Sequence, residues 1–289
     1  MEARIRETPD DPLATFLLSQ VRAAFGERST PLLLAERAVS LDARTARYHR
    51  QLAEVQGLAA QHANALQQLL IARRFRKEID AALALDPRDV QAHRDLLEFY
   101  LLAPGIVGGD RRKAAATADR IAGLDAAEGF LAQARVSAFQ KRDAETEALL
   151  RKAVAAQPPS YQAPIALAQF YLESSHRDVN SAERLARQAI KLRRDRVEAY
   201  AVLAQVYAER CAWTELESTL ADAVHEVPDD RVPFYRAAAW LLAGGRDLER
   251  AERYLRFYLG QEPEGNEPTA AEAAQLLNLG IPAVVFYHG

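Results

Sequence analysis

The stretch from residue 197 to residue 230 constrains the fold of this chain more than any other feature of its sequence. Its first half places apolar side chains at helical i, i+3, i+4 and i+7 spacing, and its second half does the same ahead of Pro228. The residues that form the pattern are Tyr200, Leu203, Ala204, Tyr207, Leu216, Leu220 and Ala223. The pattern predicts two amphipathic helices joined by a short turn. A hairpin of this size cannot bury its apolar faces alone, so neighbouring segments should repeat it.

The same pattern recurs along most of the chain. Numbered in chain order, with residues 197–230 as repeat 6, the other repeats are residues 11–45, 46–89, 90–127, 127–160, 161–196 and 231–265. Repeat 2 is roughly ten residues too long for the period. Its excess keeps a helical apolar pattern, so we expect lengthened helices there. After Pro268 the pattern predicts one further helix that ends at about Leu279.

Individual residues fix the details of several repeats. We align the second helix of repeat 3 through Ala115 and Ala122, and we expect Asp110 to cap that helix at its N-terminus. For the second helix of repeat 5, we expect the N-cap to be Asn180 or Ser181.

The order of side chains resembles the tetratricopeptide repeat: a large residue, then Leu, a small residue and Tyr, followed in the second helix by Ala, a large residue, Ala and a closing Pro. The resemblance covers about residues 11–280 and is clearest in repeats 4 and 6. It implies an all-α, right-handed α-solenoid of about seven helix-turn-helix repeats with incomplete end repeats. We therefore expect one solenoid domain over residues 1–280 and an apolar C-terminal tail over residues 281–289.

Composition excludes several classes of protein. The chain has a formal net charge of −3 and a single cysteine, Cys211, so it cannot form an intrachain disulfide. No run of apolar residues is long enough to span a membrane, and the N-terminus has no apolar export signal. We expect a cytoplasmic protein. Residues 1–9 look like the end of a repeat, however, so an upstream segment with a targeting signal is an open alternative.

The last nine residues, 281–289, break the helical pattern with a β-prone apolar run. A solenoid normally ends in a helix with a polar outer face, because its last apolar surface has no neighbour. Three interpretations stay open for this tail. It folds back over the last helix, it joins two copies of the chain, or it is frayed.

The resemblance also implies which residues face the concave groove of the solenoid. They are the second, fifth, ninth, twelfth and thirteenth positions of each repeat, all on the first helix. Carried onto this sequence, these positions predict a partner-binding groove formed by Arg47, Arg50, Glu54, Arg94, Glu98, Arg135, Phe139, Gln169, Gln205 and Tyr235.

Three of these residues, Arg50, Arg94 and Arg135, predict a basic stripe over neighbouring repeats. Guanidinium groups bind carboxylates through two parallel hydrogen bonds, so the stripe favours an acidic or C-terminal peptide segment as the partner. The alternative is that Arg50–Glu54 and Arg94–Glu98 are i, i+4 ion pairs on exposed helix faces. The Lys and Asn arrangement with which chaperone-binding relatives hold a terminal carboxylate is absent from these positions.

Other motifs favour plain structural roles. The basic run Arg73, Arg74, Arg76 and Lys77 around Phe75 is more typical of a solvated helix face than of a nucleic-acid site. The loop from Pro104 to Gly109 lacks the ending of a phosphate-binding loop. The six histidines are scattered, so we expect no metal and no other cofactor.

The sequence therefore predicts a non-catalytic scaffold that binds another protein or peptide, with an acidic segment as the candidate partner. We expect no nucleic acid and no membrane span, and we keep self-association through the tail as an option. The alternatives are an RNA-binding helical repeat, which reads one base per repeat, and a regulatory repeat module from a larger assembly.

Overall fold

The computed structural model describes residues 8, 10–27, 29–61, 63–173, 177–262 and 268–279. Within these ranges the chain is all-helical and has no strand, as predicted. It divides into two compact units, residues 1–157 and residues 158–289, which we describe one at a time. The prediction of a single solenoid domain over residues 1–280 stays a prediction. The predicted tail, residues 281–289, lies outside the described residues.

In the first unit, the described residues form eight α-helices in four consecutive pairs. They are α1 (Pro12–Ala24), α2 (Ser29–Leu41), α3 (Ala46–Ala60), α4 (Ala65–Leu85), α5 (Val90–Leu102), α6 (Arg111–Ala122), α7 (Ala126–Phe139) and α8 (Asp143–Ala155). A short 3-10 turn, Gly105–Val107, lies between α5 and α6. Each pair coincides with one predicted repeat, from repeat 1 to repeat 4.

In the second unit, the described residues form three further pairs and a single final helix. They are α9 (Gln162–Glu173), α10 (Val179–Leu192), α11 (Glu198–Arg210), α12 (Trp213–Glu226), α13 (Val232–Ala243), α14 (Leu248–Leu259) and α15 (Ala270–Leu279). The last of these is the helix that was expected after Pro268. Across both units, no helix of the described residues combines the length and the apolarity that crossing a bilayer requires.

Short polar side chains start many of these helices by accepting hydrogen bonds from free backbone N–H groups. As predicted, Asp110 caps α6, accepting from the backbone N–H groups of Arg112 and Lys113. The prediction for α10 is wrong by two or three residues, because its N-cap is Asp178, whose carboxylate accepts from the backbone N–H of Ser181.

Small residues at the helix crossings let the pairs pack closely. In α6, Ala114 and Ala118 are buried while Ala115 is exposed, so our alignment of this helix was wrong by one residue. The loop ahead of α6 has no fixed length in the repeat, so sequence alone could not set the helix phase. The tightest crossing lies at Gly129 of α7, where a Cβ atom would lie 2.2 Å from the Cα of Ala122.

Two buried histidines join successive repeats in the same way. His49 Nε2 lies 3.1 Å from the carbonyl oxygen of Ala43, and His93 Nε2 lies 3.1 Å from that of Pro87, each six residues earlier. His49 also contacts the Glu78 carboxylate through Nδ1, at 2.7 Å. Both histidines therefore tie the start of a first helix to the turn before it.

Repeat 2 is lengthened mainly in its second helix, as expected. Helix α4 has 21 residues, whereas the neighbouring α5 has 13. Phe75 of α4 stacks on Phe99 of α5, with ring centroids 5.8 Å apart. The first turns of α4, ahead of Phe75, therefore extend past the end of α5. Helix α4 also contacts the 3-10 turn.

The packing in the second unit changes between repeats 6 and 7. Helix α13, the first helix of repeat 7, packs mainly on α11, the first helix of repeat 6, and barely contacts α12. In the first unit, each first helix packs instead mainly against a second helix. As a result, every residue of α11 from Ala199 to Ala208 is buried. The repeat pattern did not predict this arrangement.

Candidate functional site

The first helices of repeats 2 to 4 present one line of charged side chains to solvent. On α5, Ala92, His93, Leu96 and Leu97 are buried, so the opposite face is left to polar residues. We call this surface the first-helix line. It consists of Arg47, Arg50 and Glu54 on α3, Arg94, Asp95 and Glu98 on α5, and Glu128 and Arg135 on α7. All of these residues are exposed or half-exposed.

Ion pairs along the first-helix line cross from one repeat to the next. Arg135 donates two hydrogen bonds to the carboxylate of Glu98, at 2.8 and 2.9 Å. Arg94 donates to Glu128 at 3.2 Å. The i, i+4 alternative, Arg94–Glu98, is therefore not the arrangement in the structure. The predicted basic stripe is instead a ladder of paired charges.

Arg50 forms the loosest pair of the three. Its Nε lies 3.5 Å from the Oδ2 of Asp89, the N-cap of α5, and not beside Glu54 as the i, i+4 alternative required. This Nε is buried and has no hydrogen-bond acceptor among the described atoms. Leaving a buried donor without an acceptor costs about 1–3 kcal/mol. Arg50 would therefore gain from an acceptor that, unlike Asp89, lies in hydrogen-bond geometry with its Nε.

The pKa values along the line follow from these neighbours. The hydrogen bonds that Arg135 donates to Glu98 raise the pKa of Arg135 against the opposing effect of burial, so this guanidinium stays charged. Burial raises the pKa of Asp95 to about 6, although a hydrogen bond from Gln91 and the charge of Arg50 oppose the shift. Asp95 is therefore the residue of the first-helix line whose charge changes near neutral pH.

Two other predicted residues are held by cation–π contacts. The guanidinium of Arg47 lies 5.5 Å from the ring centroid of Phe16 and 5.4 Å from that of Tyr48. Phe139, which is half-buried at the end of α7, lies 5.4 Å beneath the guanidinium of Arg111. Each side chain is thus held by a residue of the preceding repeat before any partner binds.

In the second unit, the predicted residues do not form a comparable open line. Gln169 is exposed on α9 and Tyr235 is half-buried on α13, 5.4 Å from the ring of Tyr258. Gln205 is buried, with 8% of its surface exposed, because α13 packs over its helix. It therefore offers no surface to a partner in this conformation, contrary to our prediction for that residue.

A cluster around Glu209 holds repeats 5 to 7 together in this unit. Arg177 donates to the Glu209 carboxylate at 3.1 Å, and its guanidinium lies 4.6 Å from the ring of Trp240 on α13. Arg246, in the turn after α13, donates to the Glu209 carbonyl at 2.6 Å. These contacts fix α13 against α11. At the end of α9, burial raises the pKa of Glu173, and the charge of Arg236 opposes that shift.

Comparison with known proteins places this architecture among solved folds. No family model matches the chain, and no curated protein matches it either. The structure of yeast Tom70 superposes on this chain with a TM-score of 0.68 at 13% sequence identity. The superposition covers 96% of this chain but only 56% of the Tom70 chain, so this chain spans little more than half the length of Tom70. A tetratricopeptide repeat protein from Parabacteroides merdae superposes with a TM-score of 0.50 at 12% identity, over 93% of this chain and 98% of its own. The chain has the tetratricopeptide repeat fold.

The resemblance predicted from the sequence is thus confirmed at the level of the fold. In tetratricopeptide repeat terms, the first-helix line lies on the first helix of three consecutive repeats. The right-handed superhelix and the number of about seven repeats stay predictions, as does the cytoplasmic location.

Sequence reasoning found the arginines of the first-helix line but missed their partners, Asp89 and Glu128, and it missed Asp95. Asp89 precedes its helix and Glu128 lies one repeat away from Arg94, so neither follows from spacing within one helix. For Asp89, the available signal was its position as an N-cap aspartate directly ahead of α5. Among the described residues, no three His, Cys, Asp or Glu side chains come together as a metal site would require.

Proposed function

We propose that this chain is a non-catalytic protein-interaction module that binds a segment of another protein along the first-helix line. The observation that carries the proposal is the ladder of half-exposed ion pairs between repeats, Arg50–Asp89, Arg94–Glu128 and Arg135–Glu98. The tetratricopeptide repeat fold supports it, because stacked helical repeats offer an extended surface and no enclosed, water-free pocket for chemistry.

The ladder suits a partner segment that carries carboxylates and backbone carbonyls. Each arginine already has an ordered side chain, so less conformational entropy is lost when a partner carboxylate replaces the intramolecular one. Arg50 gains most from such an exchange, because its Nε has no acceptor in hydrogen-bond geometry. Arginine is also among the residues that dominate the affinity of protein interfaces.

Of the ten residues predicted for the groove, we propose that Arg47, Arg50, Glu54, Arg94, Glu98, Arg135 and Phe139 contact the partner. These seven belong to the first unit and lie on α3, α5 and α7. Gln169 and Tyr235 stay predictions for a second contact region in the other unit.

The experiment is affinity capture from a lysate of the source cells, comparing the wild type with the variant Arg50→Ala/Arg94→Ala/Arg135→Ala. Mass spectrometry identifies a captured protein, and calorimetry then measures its binding to both baits. We expect at least about a tenfold loss of affinity in the variant, since truncating a buried or half-buried interface arginine costs 1–3 kcal/mol or more.

The matched control is Arg151→Ala/Arg193→Ala/Arg256→Ala. These arginines pair with Glu147, Asp195 and Glu252 within their own helix or turn, and the control removes the same total charge. We expect it to bind like the wild type. Equal affinity of all three baits would exclude the first-helix line as the site. Recovery of RNA in place of a protein would replace the proposal with the RNA-binding alternative.

A further inference from the structure

A second surface lies at the edge of repeats 2 and 3, where the first helix of each repeat turns into the second. Large aliphatic side chains are exposed there on three elements: Leu66 and Leu70 on the first turns of α4, Leu102 at the end of α5, and Ile106 in the 3-10 turn. Their exposed fractions are 70, 51, 58 and 74%. We call these four residues the edge patch.

The elements that carry the edge patch are held together by the core. Phe75 of α4 stacks on Phe99 of α5, and a Cβ atom on Gly108, just after the 3-10 turn, would lie 3.6 Å from the same Phe99 ring. Helix α4 also contacts the 3-10 turn directly. Gly108 has a φ of 110°, which favours glycine, and the backbone N–H of Asp110 donates to the Tyr100 carbonyl at 2.9 Å. The patch is therefore a built surface and not a loose loop.

Cations flank the edge patch on both sides. Arg73 and Arg74 follow Leu70 on α4, and Arg111, Arg112 and Lys113 begin α6 just after the 3-10 turn. All five are exposed, and none forms an ion pair with a carboxylate of the described residues. Arg111 and Lys113 lie instead over the rings of Phe139 and Tyr100. The nearest acid in sequence, Asp110, is engaged as the N-cap of α6. The first-helix line differs in this respect, because Arg50, Arg94 and Arg135 are paired with carboxylates.

We propose that the edge patch is a docking site for an acidic amphipathic segment of another protein. Large apolar side chains of that segment would cover the four aliphatic residues, while its carboxylates face the cations on either side. The charge of the site argues for this occupant: five cations without ion pairs lie on the two helices that adjoin it, whereas the whole chain has a net charge of −3. Exposed apolar clusters with a polar rim mark interaction surfaces in soluble proteins.

The test uses two fluorescein-labelled synthetic peptides in fluorescence anisotropy with the full chain. Both carry leucines at i, i+4 and i+7 spacing, but one has glutamates at the flanking positions and the other has lysines. We expect the glutamate peptide to bind and the lysine peptide not to bind. The variant Leu66→Gln/Leu70→Gln/Ile106→Gln should weaken binding more than about tenfold, because it removes most of the buried apolar area.

A second variant, Arg73→Gln/Arg74→Gln/Arg112→Gln, should weaken binding severalfold and reduce its dependence on salt. Two controls should bind like the wild type: Leu33→Gln, which changes an exposed leucine on α2, and Arg256→Ala, which changes an arginine paired with Glu252 within α14. Circular dichroism melting checks that each variant is folded.

Three results would overturn the proposal. They are no binding of the glutamate peptide to the wild type, equal binding of both peptides, and unchanged affinity in the aliphatic variant. The last measurement is binding of the chain to vesicles that contain phosphatidylserine. If the wild type binds these vesicles, the aliphatic variant does not, and the glutamate peptide does not bind the wild type, then the patch is a lipid-binding surface and the proposal is wrong.

Discussion

Among the glycines that lie within helices, Gly129 of α7 leaves the least room for a larger side chain. A Cβ atom there would lie 2.2 Å from the Cα of Ala122 and 2.8 Å from its backbone nitrogen, so α6 and α7 would have to separate. We predict that Gly129→Ala lowers the free energy of unfolding by about 1–3 kcal/mol, the usual cost of overpacking. Urea denaturation measures this change.

The control for that substitution is Gly105→Ala in the 3-10 turn. A Cβ atom on Gly105 meets nothing within 4 Å, so the stability should stay within about 0.5 kcal/mol of the wild type. If Gly129→Ala were equally harmless, the close approach of α6 and α7 would be wrong.

Asp95 predicts a dependence of stability on pH. Its folded-state pKa of about 6 lies above the ordinary value of 3.8, so the folded protein retains a proton in a range where the unfolded chain has lost it. The stability from this group is therefore fully present below about pH 4 and is lost as the pH rises to 6. Asp95→Asn should raise the free energy of unfolding by roughly 1 kcal/mol at pH 8 and much less at pH 4. Urea denaturation at both pH values tests this, and a gain independent of pH would contradict it.

The residues of the first-helix line show what sequence can and cannot predict at this scale. Arg50, Arg94 and Arg135 were found because each occupies a known position of its repeat. Their partners were not found, since Asp89 and Glu128 lie on other elements and the register between helices decides which charges meet. For the same reason, the i, i+4 pairs Arg50–Glu54 and Arg94–Glu98 were considered and do not form.

At the scale of helices, the pair Arg135–Glu98 connects α7 to α5 with two parallel hydrogen bonds. Both side chains are about one-third exposed, so solvent screens the attraction. We predict a coupling free energy of about 0.5–1 kcal/mol in a double-mutant cycle of Arg135→Gln and Glu98→Gln, measured by urea denaturation.

The same cycle applied to Arg256 and Glu252, which lie within α14, should give about 0.3–0.5 kcal/mol. Raising the salt concentration should reduce both couplings. A coupling near zero for Arg135 and Glu98 would mean that the ladder does not join the repeats energetically.

Helix boundaries were largely predictable, because the apolar period of each repeat sets where its helices begin and end. The extra length of α4 could also be predicted from the sequence, since the additional residues kept a helical apolar pattern. What the period could not predict was packing between repeats. Helix α13 packs on α11 because of contacts such as that of Arg177 with Trp240, which joins residues 63 positions apart in the sequence. That packing buries Gln205, which we had predicted to face the partner-binding groove.

At the scale of the whole molecule, repeat proteins are stabilised by contacts between neighbours, so damage should stay local. Ala204 in α11 is fully buried, and Ala204→Leu should cost about 1–3 kcal/mol. In hydrogen exchange, we expect the amides of α9 to α14 to exchange faster, while those of α3 and α4 keep their wild-type rates.

The control is Ala115→Leu, at an exposed position of α6, which should change neither region. If exchange in the Ala204→Leu variant accelerated evenly along the entire chain, the one-dimensional organisation of the protein would be contradicted.

Photo-crosslinking tests the central claim, that a partner protein binds along the first helices, most directly. A benzophenone amino acid is placed at Leu131, on the half-exposed face of α7, or at Ala148, exposed on the second helix α8 of the same repeat. Both proteins are irradiated in a lysate of the source cells. We predict a crosslinked partner from position 131 and little or none from position 148. Crosslinks from position 148 alone, or equal yields from both, would contradict the assignment of the first-helix line as the binding surface.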